Sequence, residues 1–160
     1  MKGRSWKSKV GGSKSDIWAV LLLMLMIISL NSCGGEKSEG AKIQERLENS
    51  ELMYFTNGKK LYTQHCANCH MENGEGLGTL IPPLKNADYL LEDIGRAASI
   101  IVHGAKEPIV VNGIEYIQPM PGNSKLTATE ITGILTYITN TWGNAYGGIS
   151  LEEVNSALKK

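Results

Sequence analysis

Apolar residues follow three different rhythms along this chain. Residues 17–30, IWAVLLLMLMIISL, form a run broken only by Ser29. Beyond it the spacing turns helical. Leu90, Leu91, Ile94, Ala97, Ala98, Ile101 and Val102 recur at helical intervals and Gly104 follows as a stop, which predicts a helix over about 89–103. Ile131, Ile134, Leu135, Ile138 and Trp142 form a second stripe, opened by the capping box Thr127-Ala-Thr-Glu130 and ended by Gly143. A further capping box, Ser150-Leu-Glu-Glu153, starts a tail helix with Val154 and Leu158 inward. Another helix is expected near 56–65, around Gly58, Leu61, Tyr62 and His65. Val110 to Tyr116 reads as a small hairpin, because Asn112-Gly113 tolerates positive φ at both turn positions. Residues 71–88, with Gly74, Gly76, Gly78, Pro82 and Pro83, read as loop. The class is mainly α, in a folded domain over 50–160, and loops this long need something to pack on.

Composition sharpens that need. The 160 residues carry 6% aromatics and a single Phe, too few to fill the core of so small a domain. At 42% hydrophobic and 20% charged, the chain is not globally disordered. The formal net charge of +0 hides an asymmetry: Lys2, Arg4, Lys7, Lys9 and Lys14 lie in the first 32 residues with Asp16 as their only acid. The remaining 11 basic and 15 acidic residues form no basic stripe, which excludes a nucleic-acid partner. Three cysteines do not make a closed set of disulfides.

The basic start and the apolar run form an export signal over residues 1–32. Fourteen helical residues span roughly 21 Å, short of the ~30 Å hydrocarbon core. The run ends in Leu30-Asn31-Ser32-Cys33, which resembles a bacterial lipobox, with Asn31 a looser fit at its middle position. Cys33 is therefore the expected lipidation site. A plain signal peptide and an uncleaved anchor are the alternatives, and all three put the rest of the chain outside the cytoplasm. Gly34, Gly35, Ser38 and Gly40 among Lys and Glu predict a flexible tether over 33–49.

The chemistry lies in Cys66-Ala-Asn-Cys69-His70. Cys-x-x-Cys-His is the attachment motif of c-type haem. Two thiols at this spacing form thioethers to the two vinyl groups on one edge of the macrocycle, and the next residue, His70, ligates the iron. Two other uses of the motif compete. A redox dithiol wants a βαβ surround, and a zinc site needs four ligands, for which there is no second cysteine pair. Haem also supplies the large apolar object that the composition lacks.

The stretch from Gly58 through Tyr62 to Cys66-Ala-Asn-Cys69-His70 resembles the first helix and haem motif of the class I, mitochondrial-type c-type cytochromes. The likeness covers about 105 residues of the 160 and extends through Trp142-Gly143-Asn144 to Val154. It implies a cytochrome c fold of three to five helices around one covalent haem c. It also implies that Gly58 and Tyr62 meet Ile134 and Tyr137 where the first and last helices cross. Pro82-Pro83-Leu84 matches the loop whose proline carbonyl accepts the proton of the ligating histidine, and Pro82 is preferred over Pro83.

The second axial ligand is sought among Met53, Met71, Met120, His65 and His103. Met71 and His65 flank the attachment motif and lie on the wrong side, and Met53 precedes the first helix. Pro119-Met120-Pro121-Gly122 is different: two prolines stiffen the loop, and it stands 50 residues after His70, where class I cytochromes carry their methionine ligand. His103 competes, although a histidine at a helix end more often caps carbonyls. Leu80, Leu84, Tyr116, Ile117 and Trp142 are candidates for the apolar shell.

With His70 and Met120 both bound, no iron position is open to substrate, which argues against an enzyme and for outer-sphere electron transfer. The expected function is a membrane-tethered monohaem cytochrome on the periplasmic side, carrying one electron between redox partner proteins. The alternatives are an electron-entry subunit of a larger oxidoreductase (a dehydrogenase, nitrite reductase or haem–copper oxidase) and a haem-based ligand sensor.

Overall fold

Two helices crossing at a pair of glycines organise the domain. In the computed structural model, which describes residues 37–159, helix α2 (Asn49–His65) lies against helix α6 (Ala128–Ile138). A Cβ on Gly58 would fall inside the carbonyl group of Gly133, and one on Gly133 would meet the Tyr54 carbonyl oxygen at 3.2 Å. The backbones therefore approach as closely as two bare peptide ridges permit. Tyr62, Ile134 and Tyr137 are buried beside the crossing, as expected. Phe55, Tyr62, Tyr137 and Trp142 pack there as one aromatic cluster, with ring centroids 5.1–5.4 Å apart and mostly edge-to-face.

The other elements wrap this pair. Helix α1 (Glu39–Arg46) precedes α2, and the one-turn α3 (Ala67–His70) follows it. After the 71–87 loop come α4 (Asp88–Glu92) and α5 (Ile94–His103). Strands β1 (Gly104–Ala105) and β4 (Met120–Pro121) pair antiparallel, as do β2 (Ile109–Val111) and β3 (Ile114–Tyr116). Helix α7 (Leu151–Leu158) closes the domain against α5 and α6. The expected hairpin forms with Asn112 and Gly113 at φ 51° and 78°. Its turn is tied to α4 by a reciprocal pair, Asp88 N to Asn112 Oδ1 and Asn112 N to Asp88 Oδ1.

Several boundaries differ from the sequence expectation. The predicted helix over 89–103 is broken at Asp93, whose extended backbone and carboxylate cap α5 by accepting from Arg96 N at 2.9 Å. Helix α6 ends at Ile138, and Trp142 adopts φ 56° beyond it instead of continuing the stripe. Residues 39–46, expected within the tether, are helical. Ser38 caps them, Ile43 and Leu47 are buried, and Arg46 donates to Asn140 Oδ1 and the Asn144 carbonyl at 3.3 and 3.4 Å. Two apolar residues in a Lys- and Glu-rich stretch were too sparse a signal to reveal that docking. The folded unit thus begins before residue 50. The export signal over 1–32 and Cys33 lie outside the described residues.

Candidate functional site

Cys66 accepts the amides of Cys69 and His70 at 3.0 and 2.9 Å, closing one helical turn. Positions i, i+3 and i+4 of such a turn share a face, so two thiols and one imidazole turn the same way. Met71, at φ 62°, ends the turn, and its carbonyl accepts from the buried Tyr62 hydroxyl at 2.5 Å. Burial raises the Tyr62 phenol far above its ordinary value, so it remains a proton donor to that carbonyl.

The loop after His70 folds back to meet it. Gly76 N donates to the His70 carbonyl at 3.1 Å, and Leu84 N and Lys85 N both donate to the Gly74 carbonyl. A Cβ on Gly76 would strike the Ile81 and Pro82 backbone, so only glycine lets the loop close this tightly. The result is a 3.0 Å hydrogen bond from His70 Nδ1 to the Pro82 carbonyl. A carbonyl only accepts, so Nδ1 carries the proton and Nε2 keeps its lone pair. Burial holds the His70 pKa below its ordinary value, against the smaller upward pull of Pro82. The imidazole is thus neutral at pH 7, the form that binds metal. Burial, and then Cys69, push the Cys66 thiol up to about 11.

His70 opens onto a cleft with two lobes. The inner lobe is almost wholly apolar, walled by Leu84, Tyr89, Ala97, Ile101, Ile134 and Ile138 among others. The outer lobe is lined by Cys69, Leu80, Tyr116, Gln118 and Pro119. Cys66, His70, Pro82, Ile100, Ile109 and Met120 line both. The fold thus gathers Cys66, Cys69, His70, Pro82 and Met120 around one cleft. Met120 is delivered there by β4, where Ala105 opposes it. The turn carrying it is seated on the end of α5: Asn123 N donates to the Ile101 carbonyl at 2.8 Å, and a Cβ on Gly122 would collide with the backbone of 102–104.

His103 is exposed and lines neither lobe, whereas His65 is exposed at the outer lobe. Of the shell candidates, Leu80, Leu84 and Tyr116 line the cleft. Ile117, 71% exposed, and Trp142, in the aromatic cluster, do not.

The walls also depend on residues to which sequence reasoning gave no role. Asn144 is 3% exposed; its amide donates to the carbonyls of Leu84 and Ile138, and its Oδ1 accepts from Asn86 N. It ties the end of the Pro82 loop to the end of α6. Asn140 fixes the following turn through a reciprocal pair with Gly147. Gly58 meets the backbone of Ile134, as expected, and still more closely that of Gly133. A glycine within a well-capped apolar helix was the one available signal for it.

A family model for cytochrome c matches residues 55–142, just over half of the chain. A curated relative, cytochrome c-552 of Thermus thermophilus, is 37% identical over 92 residues, 55% of this chain and 70% of that protein. A second cytochrome c-552, from a named strain of the same species, is 37% identical over 92 residues, 55% of this chain and 62% of that protein. The cytochrome c subunit of the quinone alcohol dehydrogenase from Gluconacetobacter polyoxogenes is 33% identical over 93 residues, 57% of this chain but only 20% of that subunit. The chain belongs to the cytochrome c family, as a class I monohaem member. It is an electron-transfer protein with one covalent haem c. The cleft fits that group: an almost wholly apolar lobe, two thiols on one turn, and a neutral imidazole with a free Nε2.

Proposed function

We propose that this chain is a membrane-tethered monohaem cytochrome c that passes single electrons between redox partner proteins on the periplasmic side of a bacterial membrane. Cys66 and Cys69 would hold the haem through thioethers, and His70 and Met120 would ligate its iron. The bound haem supplies the one-electron Fe(III)/Fe(II) change. The chain's own residues set its poise. The Pro82 carbonyl fixes the His70 tautomer and makes the imidazole a better donor. The Met120 thioether is soft and weakly donating, which favours the ferrous state. The apolar wall acts the same way, because low dielectric disfavours net positive charge.

The observation carrying this reading is that His70 and Met120, 50 residues apart, line the same cleft, each on a backbone pinned from behind. With both side chains on the iron, no position would be left for a substrate, which would suit outer-sphere transfer. The test is spectroscopic. Protein matured in an exporting host should stay coloured after acid–organic extraction and give a pyridine haemochrome of the two-thioether type. The oxidised form should show the weak sulfur-to-iron band in the far red, and Met120→Ala should remove it and admit carbon monoxide to the reduced form. An unchanged Met120→Ala spectrum would show that another residue is the ligand. Lipidation at Cys33 is read by mass spectrometry of the mature N-terminus; an intact Met1 would refute it.

A second reading, a subunit permanently bound to a larger oxidoreductase, is favoured by the similarity to alcohol dehydrogenase cytochrome c subunits. Co-purification of a stoichiometric enzyme in detergent would select it; a delipidated monomer would select the free carrier.

A further inference from the structure

Behind the inner lobe, Arg96 occupies a position that the ligand set does not explain. Tyr89 lines the lobe, and the Arg96 guanidinium lies over its ring, 3.8 Å from the centroid. Arg96 Nη2 also donates to the Tyr89 carbonyl at 2.6 Å and to Glu92 at 3.1 Å. One side chain thus reaches back across the Asp93 break and holds the tyrosine from ring and backbone together. The arrangement has a cost. Among the described residues, Arg96 Nε is a buried N–H without a hydrogen-bond partner, a defect that costs stability. A hydrophobic residue at this position would hold the wall without that defect, so the charge itself calls for an account.

The surroundings supply one. The turn outside Tyr89 is acidic: Asp88, Glu92 and Asp93 are all exposed there. Arg96 reaches into this turn through its backbone amide and its guanidinium, and its side chain is only 30% exposed against 73% for Glu92. The positive charge stands nearest the apolar wall, where screening is weakest, and the carboxylates stand further out in water. We propose that Arg96 is a positioning residue that fixes Tyr89 as a wall of the haem cleft and shields the haem from this acidic turn, thereby favouring the ferrous state. Three carboxylates beside the cleft without it would favour the ferric state.

This inference rests on the haem occupying the cleft, which the haemochrome and far-red band of the unaltered protein report separately. The experiment compares Arg96→Gln with Arg96→Lys in the haem-loaded protein, reading midpoint potential and denaturant midpoint for each. Lysine keeps the charge but loses the planar stack and the fork. Both variants are expected to unfold at lower denaturant concentration. Arg96→Gln is expected to shift the potential downward, and the shift should shrink at high ionic strength. Arg96→Lys should stay close to the parent potential. A glutamine variant of unchanged potential, or a lysine variant shifted as far as the glutamine one, would overturn the proposal and leave Arg96 a purely structural clamp. If Arg96→Gln does not accumulate, the potential of Arg96→Lys alone decides: retention supports the charge role, and loss refutes it.

Discussion

His70 and Met120 reach the same cleft, but the backbone behind each is held by different means. Behind His70 lie a helix crossing at Gly58 and Gly133, an aromatic cluster, the Tyr62 hydroxyl, and a loop stapled by the buried Asn144. Behind Met120 lie the β1–β4 strand pair, two flanking prolines, and a turn seated on the end of α5 through Gly122. The histidine side belongs to the hydrophobic core, whereas the methionine side is a short loop latched onto it. Damage to the first should therefore unfold the domain, and damage to the second should release the proposed methionine ligand from a domain that stays folded.

The sharpest way to break that contrast is at the crossing. Gly58→Ala drives a methyl group into the Gly133 carbonyl, and a loss of at least ~3 kcal/mol in denaturant unfolding is expected. Gly133→Ala meets the Tyr54 carbonyl at 3.2 Å and should cost only ~1 kcal/mol, because a small shift relieves it. Equal effects would mean that the helices slide freely. Asn144→Ala leaves the Leu84 and Ile138 carbonyls short of a donor, for an expected loss of ~2–3 kcal/mol by the same measurement.

On the methionine side, Gly122→Ala pushes the turn off the 102–104 backbone. The far-red band should vanish and carbon monoxide should bind the reduced form, while the unfolding midpoint moves by less than ~1 kcal/mol equivalent. A large stability loss there would erase the distinction between core and latch. The smallest effect concerns the start of α6. The Thr127 amide and hydroxyl both donate to the Glu130 carboxylate and hold its pKa below the ordinary value. The contribution is therefore complete above the ordinary carboxylate pKa and is lost as pH falls through the depressed one. Glu130→Gln should flatten that part of the acid limb, and unfolding midpoints between pH 6 and pH 3 (about neutral to below the carboxylate range) measure it.

Legibility in the sequence followed how local each feature is. The haem motif, the Thr127–Glu130 capping box, the Ser150 cap (without the expected return bond from Glu153) and the Asn112-Gly113 hairpin are set by neighbours a few residues apart, and all were readable. Pro82 and Met120 were singled out through family resemblance added to stiff local sequence, and both line the cleft. The pairing of β1 with β4 and the ties made by Asn140 and Asn144 join segments that carry no periodic signal, so nothing local announced them. Trp142 illustrates the opposite failure. It fits the helical stripe by spacing, yet the helix has already ended, and a positive φ turns the ring into the aromatic cluster.

Helix α6 carries a last consequence. Every residue from Ile131 to Thr141 is buried, and the hydroxyls of Thr132, Thr136 and Thr139 return to carbonyls of the preceding turn at 2.8 Å. Beyond its first turn no face of the helix borders water, so deuterium has no local route to its central amides. They should exchange only when the whole domain opens. Measured separately in the oxidised and reduced protein, those slowest amides become an internal clock. The ratio of the two rates reads how much more tightly the folded chain grips one oxidation state than the other.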